Sequence, residues 1–262
     1  GTHDLTTTAT DAAGNTGIAS AGLAVNVDTT DPAAPGTPDL SAASDSGSAS
    51  DDDLTNDTTP TISGTAEAGS TVNLTSDIDG LVGTAAADAI TGVWSISTST
   101  LAEGVHALTA TATDSVDNIS VASAALAVTI DTTDPAAPGT PDLDAASDTG
   151  SASDDDLTND TTPTVSGTAE AGSTIALTSD VDGAVGTATA DVTTGIWVIT
   201  ASTLVDGTHD LTTTATDAAG NTGIASAGLA VTIDTMAPDA PSAPDLSAAS
   251  DSGSASDDDL TN

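Results

Sequence analysis

A period of 103 residues limits what this chain can fold into more than any other feature of its sequence. The segment Val27-Asp-Thr-Thr-Asp-Pro32 returns as Ile130-Asp-Thr-Thr-Asp-Pro135 and again as Ile233-Asp-Thr-Met-Ala-Pro238. The stretch from Ser44 to Asn56 recurs from Ser147 and from Ser250, Trp94 falls on Trp197, and His3, His106 and His209 share one repeat position. A unit of that length is a domain in itself, close to an Ig-like sandwich and well above a solenoid repeat. The expected organisation is two complete repeats, 31–133 and 134–236, between the C-terminal part of a preceding repeat (1–30) and the N-terminal part of a following one (237–262). The two partial ends together lack a domain's middle, so the sequence reads as a stretch of a longer array.

Within 31–133 the strand signals are short and evenly spaced. Strand A is predicted over 38–42, B over 59–66, C over 70–76, D over 81–88, E over 93–99, F over 105–113 and G over 119–130. In F, His106, Leu108, Ala110 and Ala112 alternate with Val105, Thr109 and Thr111, the period-two pattern of a strand with one buried face. No segment carries a helical period. The predicted fold class is all-β: tandem seven-stranded Ig-like Greek-key β-sandwiches of about 103 residues per repeat. Trp94 and Trp197 are the expected core anchors, because the chain has no Phe or Tyr to share that role.

Charge excludes several function classes. The chain carries 40 Asp and Glu and no Lys or Arg. A phosphate backbone would be repelled, so nucleic acid is not an expected partner, and anionic lipid is excluded on the same ground. There is no cysteine for disulfides or thiolate metal sites. No basic leader and no apolar run of membrane length is present, so any secretion signal is expected outside this stretch and membrane insertion is not expected. Cations are the natural partners of such a surface.

The run from Ser44 to Ala66, with Asp51-Asp-Asp-Leu-Thr-Asn56 at its centre, resembles the opening of bacterial Ig-like repeats, as do Gly92-Val-Trp94, Thr111-Ala-Thr-Asp114 and Val128-Thr-Ile-Asp-Thr-Thr-Asp-Pro135. Such repeats occur in giant, type I-secreted surface adhesins of the RTX and Bap-like kinds. The resemblance covers the whole chain, and it implies an extracellular, cell-surface spacer with roles in cell adhesion and biofilm formation and with Ca²⁺ held around the domain junctions. One departure stands out: His106 and His209 occupy the start of strand F, where the family often has Tyr, so a tyrosine corner is not expected.

Strand order gives the junction a geometric prediction. Each strand reverses direction, so the A–B loop, the E–F loop and the end of G share one end of a sandwich, and the B–C and F–G loops share the other. Head-to-tail stacking should then gather Asp51, Asp52, Asp53, Asn56 and Asp131 of the first repeat, Asp134 of the linker, and Asp217, Asn221 and Glu170 of the second. Asp114 and the equivalents Asp154, Asp156, Asn159 and Asp234 complete the candidate metal ligands. So many carboxylates without a basic neighbour favour a hard cation with six to eight oxygen ligands, and Ca²⁺ is the expected cofactor. The competing reading of the run 51–53 is a solvated polar loop.

Other acidic motifs have simpler accounts. Asp77-Ile-Asp-Gly80 and Asp180-Val-Asp-Gly183 resemble half of an EF-hand loop but lack its remaining ligands, and Asp-Gly at a hairpin explains them. The segment around Asp217, Gly220 and Asn221 is a good turn in its own right, as is that around Asp114 and Asp117. His106 and His209 are expected to pack and bond to backbone near the E–F corner rather than bind metal. No acid, base and nucleophile stand together, so no enzyme is expected. The leading expectation is a calcium-stiffened spacer whose partners are its own neighbouring repeats. The alternatives are Ca²⁺-dependent self-association into a filament or surface layer, and a glycan- or matrix-binding module, which would need exposed aromatics.

Overall fold

A computed structural model describes residues 1–150, 152, 154–247 and 250. The head of the following repeat, expected over 237–262, therefore lies largely outside the described residues. The chain opens with β1 (Thr2–Leu5) and β2 (Leu23–Asn26), an antiparallel pair in which His3 faces Val25. The first complete repeat contributes β3 (Asp39–Leu40), β4 (Leu54–Thr55), β5 (Thr61–Thr65), β6 (Thr71–Ser76), β7 (Gly80–Ala86), β8 (Val93–Ser97), β9 (Gly104–Thr113) and β10 (Leu126–Ile130). The second repeats the series as β11 (Asp142–Leu143), β12 (Leu157–Thr158), β13 (Thr164–Thr168), β14 (Thr174–Ser179), β15 (Gly183–Thr189), β16 (Ile196–Thr200), β17 (Gly207–Thr216) and β18 (Leu229–Ile233).

Each complete repeat is a two-sheet sandwich. One sheet has the order β3-β5-β8 and the other β4-β10-β9-β6-β7, and the second repeat follows the same plan. All seven expected strands are present, although G, expected over 119–130, is a strand only over Leu126–Ile130, and an eighth joins them. The additional strand, β4, runs parallel to β10, with Leu54 opposite Thr129 and Thr55 opposite Ile130. The long connection after β3 thus crosses from one sheet to the other, and this crossing positions much of the acidic chemistry.

Alternation builds the core. Along β9, His106, Leu108, Ala110 and Ala112 are buried while their neighbours are not, as the period-two reading required. Trp94 is buried and lies across Gly64 of the paired strand, where a Cβ would come within 2.6 Å of the ring. Trp197 lies across Gly167 in the same way. A side chain on either glycine would displace the largest residue of the core. The cores hold otherwise Leu, Ile, Val and Ala from facing strands. With both Trp side chains buried, neither offers a surface aromatic platform.

The buried histidines are structural. His106 Nε2 lies 2.7 Å from the Ala102 carbonyl, so it carries the proton and donates, and Nδ1 lies 2.9 Å from the Ser76 hydroxyl. His209 repeats both contacts with Val205 and Ser179. The Asp-x-Asp-Gly turns are hairpin connections that also tie β9 and β17 down: the Ala107 amide donates to Asp77 and the Asp210 amide to Asp180, each at 2.8 Å.

Candidate functional site: the joint and the acidic loops

The two complete repeats meet through backbone and short polar side chains. The Ser46 hydroxyl donates to the Ala219 carbonyl at 2.6 Å, and the Ser48 amide donates to the Ala218 carbonyl. The Asn221 side-chain amide donates to the Asp131 carbonyl at 2.8 Å. Asn56 closes the rim through Ser46, whose hydroxyl oxygen accepts from the Asn56 backbone amide at 2.9 Å. The loop Asp217–Asn221 of the second repeat is thus seated on the turn after β3 and on the end of β10. Its repeat equivalent, Asp114–Asn118, faces only the 1–30 segment, and the effect of seating is direct: Ala219 is 1% exposed and its counterpart Val116 is 52% exposed.

Beside these contacts lies a cleft of about 390 Å³ lined by Glu103, Asp131, Asp134, Glu170 and Asp217, with Gly104, Thr129, Ile130 and Thr133. Five carboxylates from both repeats and the linker share it, as alternation of loop ends predicted for Asp131, Asp134, Glu170 and Asp217. Glu103 was not singled out by the sequence. It accepts bonds from the Thr132 amide and hydroxyl and from the Thr133 hydroxyl, which hold its carboxyl below the ordinary glutamate range. Asp217 accepts from the Gly220 and Asn221 amides and from the Asn221 side chain, so it forms the turn as well as lining the cleft. Asp114 makes the corresponding turn, and the Asn118 side chain above all lowers its pKa.

Asp51, Asp52 and Asp53 do not line this cleft. The crossing from β3 to β4 places Asp53 beside Thr129, whose amide donates to the Asp53 carbonyl at 2.8 Å. Their carboxylates face Asp39 and Asp45 of the same repeat, neither of which the sequence had marked. In the second repeat Asp154 and Asp156 line a pocket of about 460 Å³ with Asp142, Asp144 and Asp148. The expected single cluster is therefore two clusters, because β4 binds the side of the sandwich rather than leaving the loop at its end. Asn159 is bonded to Thr149 on the second repeat's matching loop, and Asp234 ends β18 with its carboxylate accepting from the Met236 amide. Among the described residues, no three or more His, Cys, Asp or Glu groups already stand at metal-holding spacing.

Comparison with known proteins gives one family. The bacterial Ig-like domain family matches residues 32–132 and 135–235. Among solved structures, similarity extends to the BSP domain of a biofilm-associated protein, at 21% identity over 79% of this chain and 30% of that one, with a TM-score of 0.29. It extends also to fibronectin(III)-like modules of CbhA from Clostridium thermocellum, at 17% identity over 69% of this chain and 87% of theirs, with a TM-score of 0.39. The chain therefore spans under a third of the biofilm-associated chain it matches. No curated protein matches it in sequence.

Proposed function

The chain belongs to the bacterial Ig-like domain family, and from that premise we propose that it is a length of the extender of a large bacterial surface adhesin, outside the cell, stiffened at its joints by Ca²⁺. The role is structural: repeats stacked head to tail hold a distant adhesive part away from the cell surface. The observation that carries this reading is the joint, where direct contacts seat one repeat on the next around a cleft shared by five carboxylates. Tandem domains joined by a bare linker would move independently by default. Here the Ser46, Ser48 and Asn221 contacts oppose that motion.

The residues around the cleft suit a hard cation. All five acidic groups are oxygen donors, and the chain has no Lys or Arg to neutralise them. Asp134 and Glu170, one from the linker and one from the second repeat, have carboxylates without a hydrogen bond among the described residues. They would hold the ion together with Asp131, while Glu103 and Asp217, already bonded to hydroxyl and amide donors, fix the walls. Bound there, Ca²⁺ supplies charge neutralisation and a link across the joint.

Small-angle X-ray scattering on the whole chain, first in EDTA and then in millimolar Ca²⁺, tests this alongside a thermal melt. Calcium should lengthen and straighten the particle and raise the melting temperature. Asp134→Asn with Glu170→Gln should remove the change in length. A shape indifferent to calcium would leave a joint held by hydrogen bonds alone and end the stiffening reading.

A further inference from the structure

The sequence repeats more closely at an offset of 206 residues, twice the basic period, than at 103. Residues 1–25 are identical to 207–231, and 38–56 are identical to 244–262. The linker between those stretches, 26–37 against 232–243, is the part that departs. One repeat away, the comparison fails at the F–G loop. Asp217-Ala-Ala-Gly-Asn221, which is also Asp11-Ala-Ala-Gly-Asn15, stands where the first complete repeat has Asp114-Ser-Val-Asp-Asn118. Just beyond the loop, Gly223 and Gly17 stand where that repeat has Ser120.

The positions that distinguish the two loops are those that meet the neighbouring repeat. Ala219 is buried against the Ser46–Ser48 turn, and that closed seat has no room for the two further methyls of a valine. A Cβ on Gly220 would lie 3.1 Å from the Gly47 amide nitrogen, so a larger side chain has to displace that backbone. A Cβ on Gly223 would lie 2.2 Å from the Pro135 carbonyl oxygen. The repeat's own fold makes none of these demands. Gly14, in the identical loop that no described repeat covers, has nothing within 4 Å of its Cβ position, and Gly17 meets the Ala9 carbonyl only at 3.6 Å. Asp117 takes the left-handed backbone of Gly14 and Gly220 at φ 68°, as Asp53 and Asp156 do in their turns, so the conformation itself does not require glycine. The first complete repeat, with Ser120 in place of Gly223, holds the linker before it less closely. Its Asn118 side chain reaches the Asp28 carbonyl at 3.4 Å, where Asn221 reaches that of Asp131 at 2.8 Å.

We propose that the structural unit of the array is a pair of unlike repeats, and that Ala219, Gly220 and Gly223 select the neighbour at the joint. Their loop accepts a repeat whose turn brings backbone directly against it, as Ser46-Gly-Ser48 does. A repeat with Val116, Asp117 and Ser120 at those positions is refused that seat and makes a more open joint. Close and open joints then alternate, one of each in every 206 residues, and the rod bends at every second joint. Alternation also keeps unlike sequences side by side. That opposes exchange of strands between neighbours, a characteristic failure of repeat proteins. The inference rests on the head-to-tail extender reading, which it deepens by naming the partner of each end, and on no bound ion.

Hydrogen exchange on the full chain in EDTA tests the selection apart from calcium. The Ser48 amide, which donates to the Ala218 carbonyl, reports the close joint, and the paired amides of β14 and β17 report the fold of the second repeat. Ala219→Val with Gly220→Asp and Gly223→Ser gives the second repeat residues that the first already carries. It should raise exchange at Ser48 about tenfold, roughly the loss of one hydrogen bond, and leave β14 and β17 protected. The same change where no described repeat is seated, Ala13→Val with Gly14→Asp and Gly17→Ser, should leave Ser48 as in the parent. The reverse swap, Val116→Ala with Asp117→Gly and Ser120→Gly, decides the matter if the first variant loses its fold: it should slow exchange of the Asn118 side-chain amide as that group closes on Asp28. Parent-like exchange at Ser48 with β14 and β17 protected would overturn the selection, as would an Asn118 side chain indifferent to the reverse swap. The expected Ser48 response in a chain whose shape ignores calcium would support the selection while ending the stiffening reading.

Discussion

The joint and the β11 pocket are both lined by five carboxylates, yet they handle that charge in opposite ways. At the joint, Glu103 and Asp217 are held by threonine hydroxyls, backbone amides and an asparagine side chain, and Glu103 ionises more readily than usual. In the pocket, one carboxylate oxygen is buried without a partner and Asp156 ionises less readily than usual. A row of acids is therefore not one kind of site. Where hydrogen-bond donors meet the charge, the protein can hold the arrangement by itself. In the pocket, Oδ1 of Asp148 meets no donor among the described residues, and the charge stays uncompensated there. The greater electrostatic need lies within each repeat, although the crowd of acids at the joint is what head-to-tail stacking suggests first.

The largest effect that would split the two regions is expected at Gly47. It sits at φ +100°, and a Cβ there would lie 1.8 Å from the Ala218 carbonyl oxygen, across the joint. Gly47→Ala must therefore push the repeats apart as well as strain the turn by about 1–2 kcal/mol. The counterpart Gly150 meets nothing closer than 3.4 Å and is not held at positive φ, so Gly150→Ala adds a Cβ to the same loop with neither the clash nor the strain. Scattering should show a loosened particle for Gly47→Ala alone. A compact joint in that variant would mean the contacts do not set the geometry.

Asn221 should come next. Its side chain bridges Asp217 and the Asp131 carbonyl at 2.9 and 2.8 Å. Asn221→Ala should cost about 1 kcal/mol, since the half-buried Asp131 carbonyl loses its donor. In the other turn, Asn118 reaches the Asp28 carbonyl at only 3.4 Å and the loop is more open, so Asn118→Ala should cost less. Hydrogen exchange around Asp131 and Asp28 would compare them, and equal protection losses would contradict the seated-loop account.

Much of this was legible in the sequence because its signals are local. Period-two alternation placed β5 to β10, and strand parity put the end of β10 against the next repeat's F–G loop. It was this parity that brought Asp131, Asp134, Glu170 and Asp217 together on paper. Strand β4 was not legible: two residues, Leu54 and Thr55, carry no alternation, and they become a strand only by pairing with β10. Everything that follows from β4 was hidden with it. Asp39 reads as a strand-opening residue and Asp45 as a turn former, and nothing local says that Asp51 to Asp53 will come to face them. Glu103 was passed over for a different reason. It is a lone acid in a loop, and its role rests on Thr132 and Thr133, which end the first repeat after its last strand and carry no signal of their own.

The smallest and sharpest contrast is in pH. In EDTA the pocket groups Asp45, Asp53 and Asp156 have raised folded-state pKa values, so their stabilising contribution is present below the ordinary aspartate value of 3.8 and is lost as pH rises through the raised values. Glu103 has the opposite sign: its contribution is present above the ordinary 4.5 and is lost as pH falls through its lowered value. Acidified from neutrality without divalent ions, the chain should first gain and then lose stability, with a melting-temperature profile varying by a few degrees on the order expected for a small domain. Asp53→Asn with Asp156→Asn should flatten the neutral side, and asparagine tolerates the left-handed backbone there. Glu103→Gln should flatten the acid side. A neutral-side slope identical in parent and Asp53→Asn, Asp156→Asn chains would place the strain elsewhere and erase the distinction between the two acidic regions.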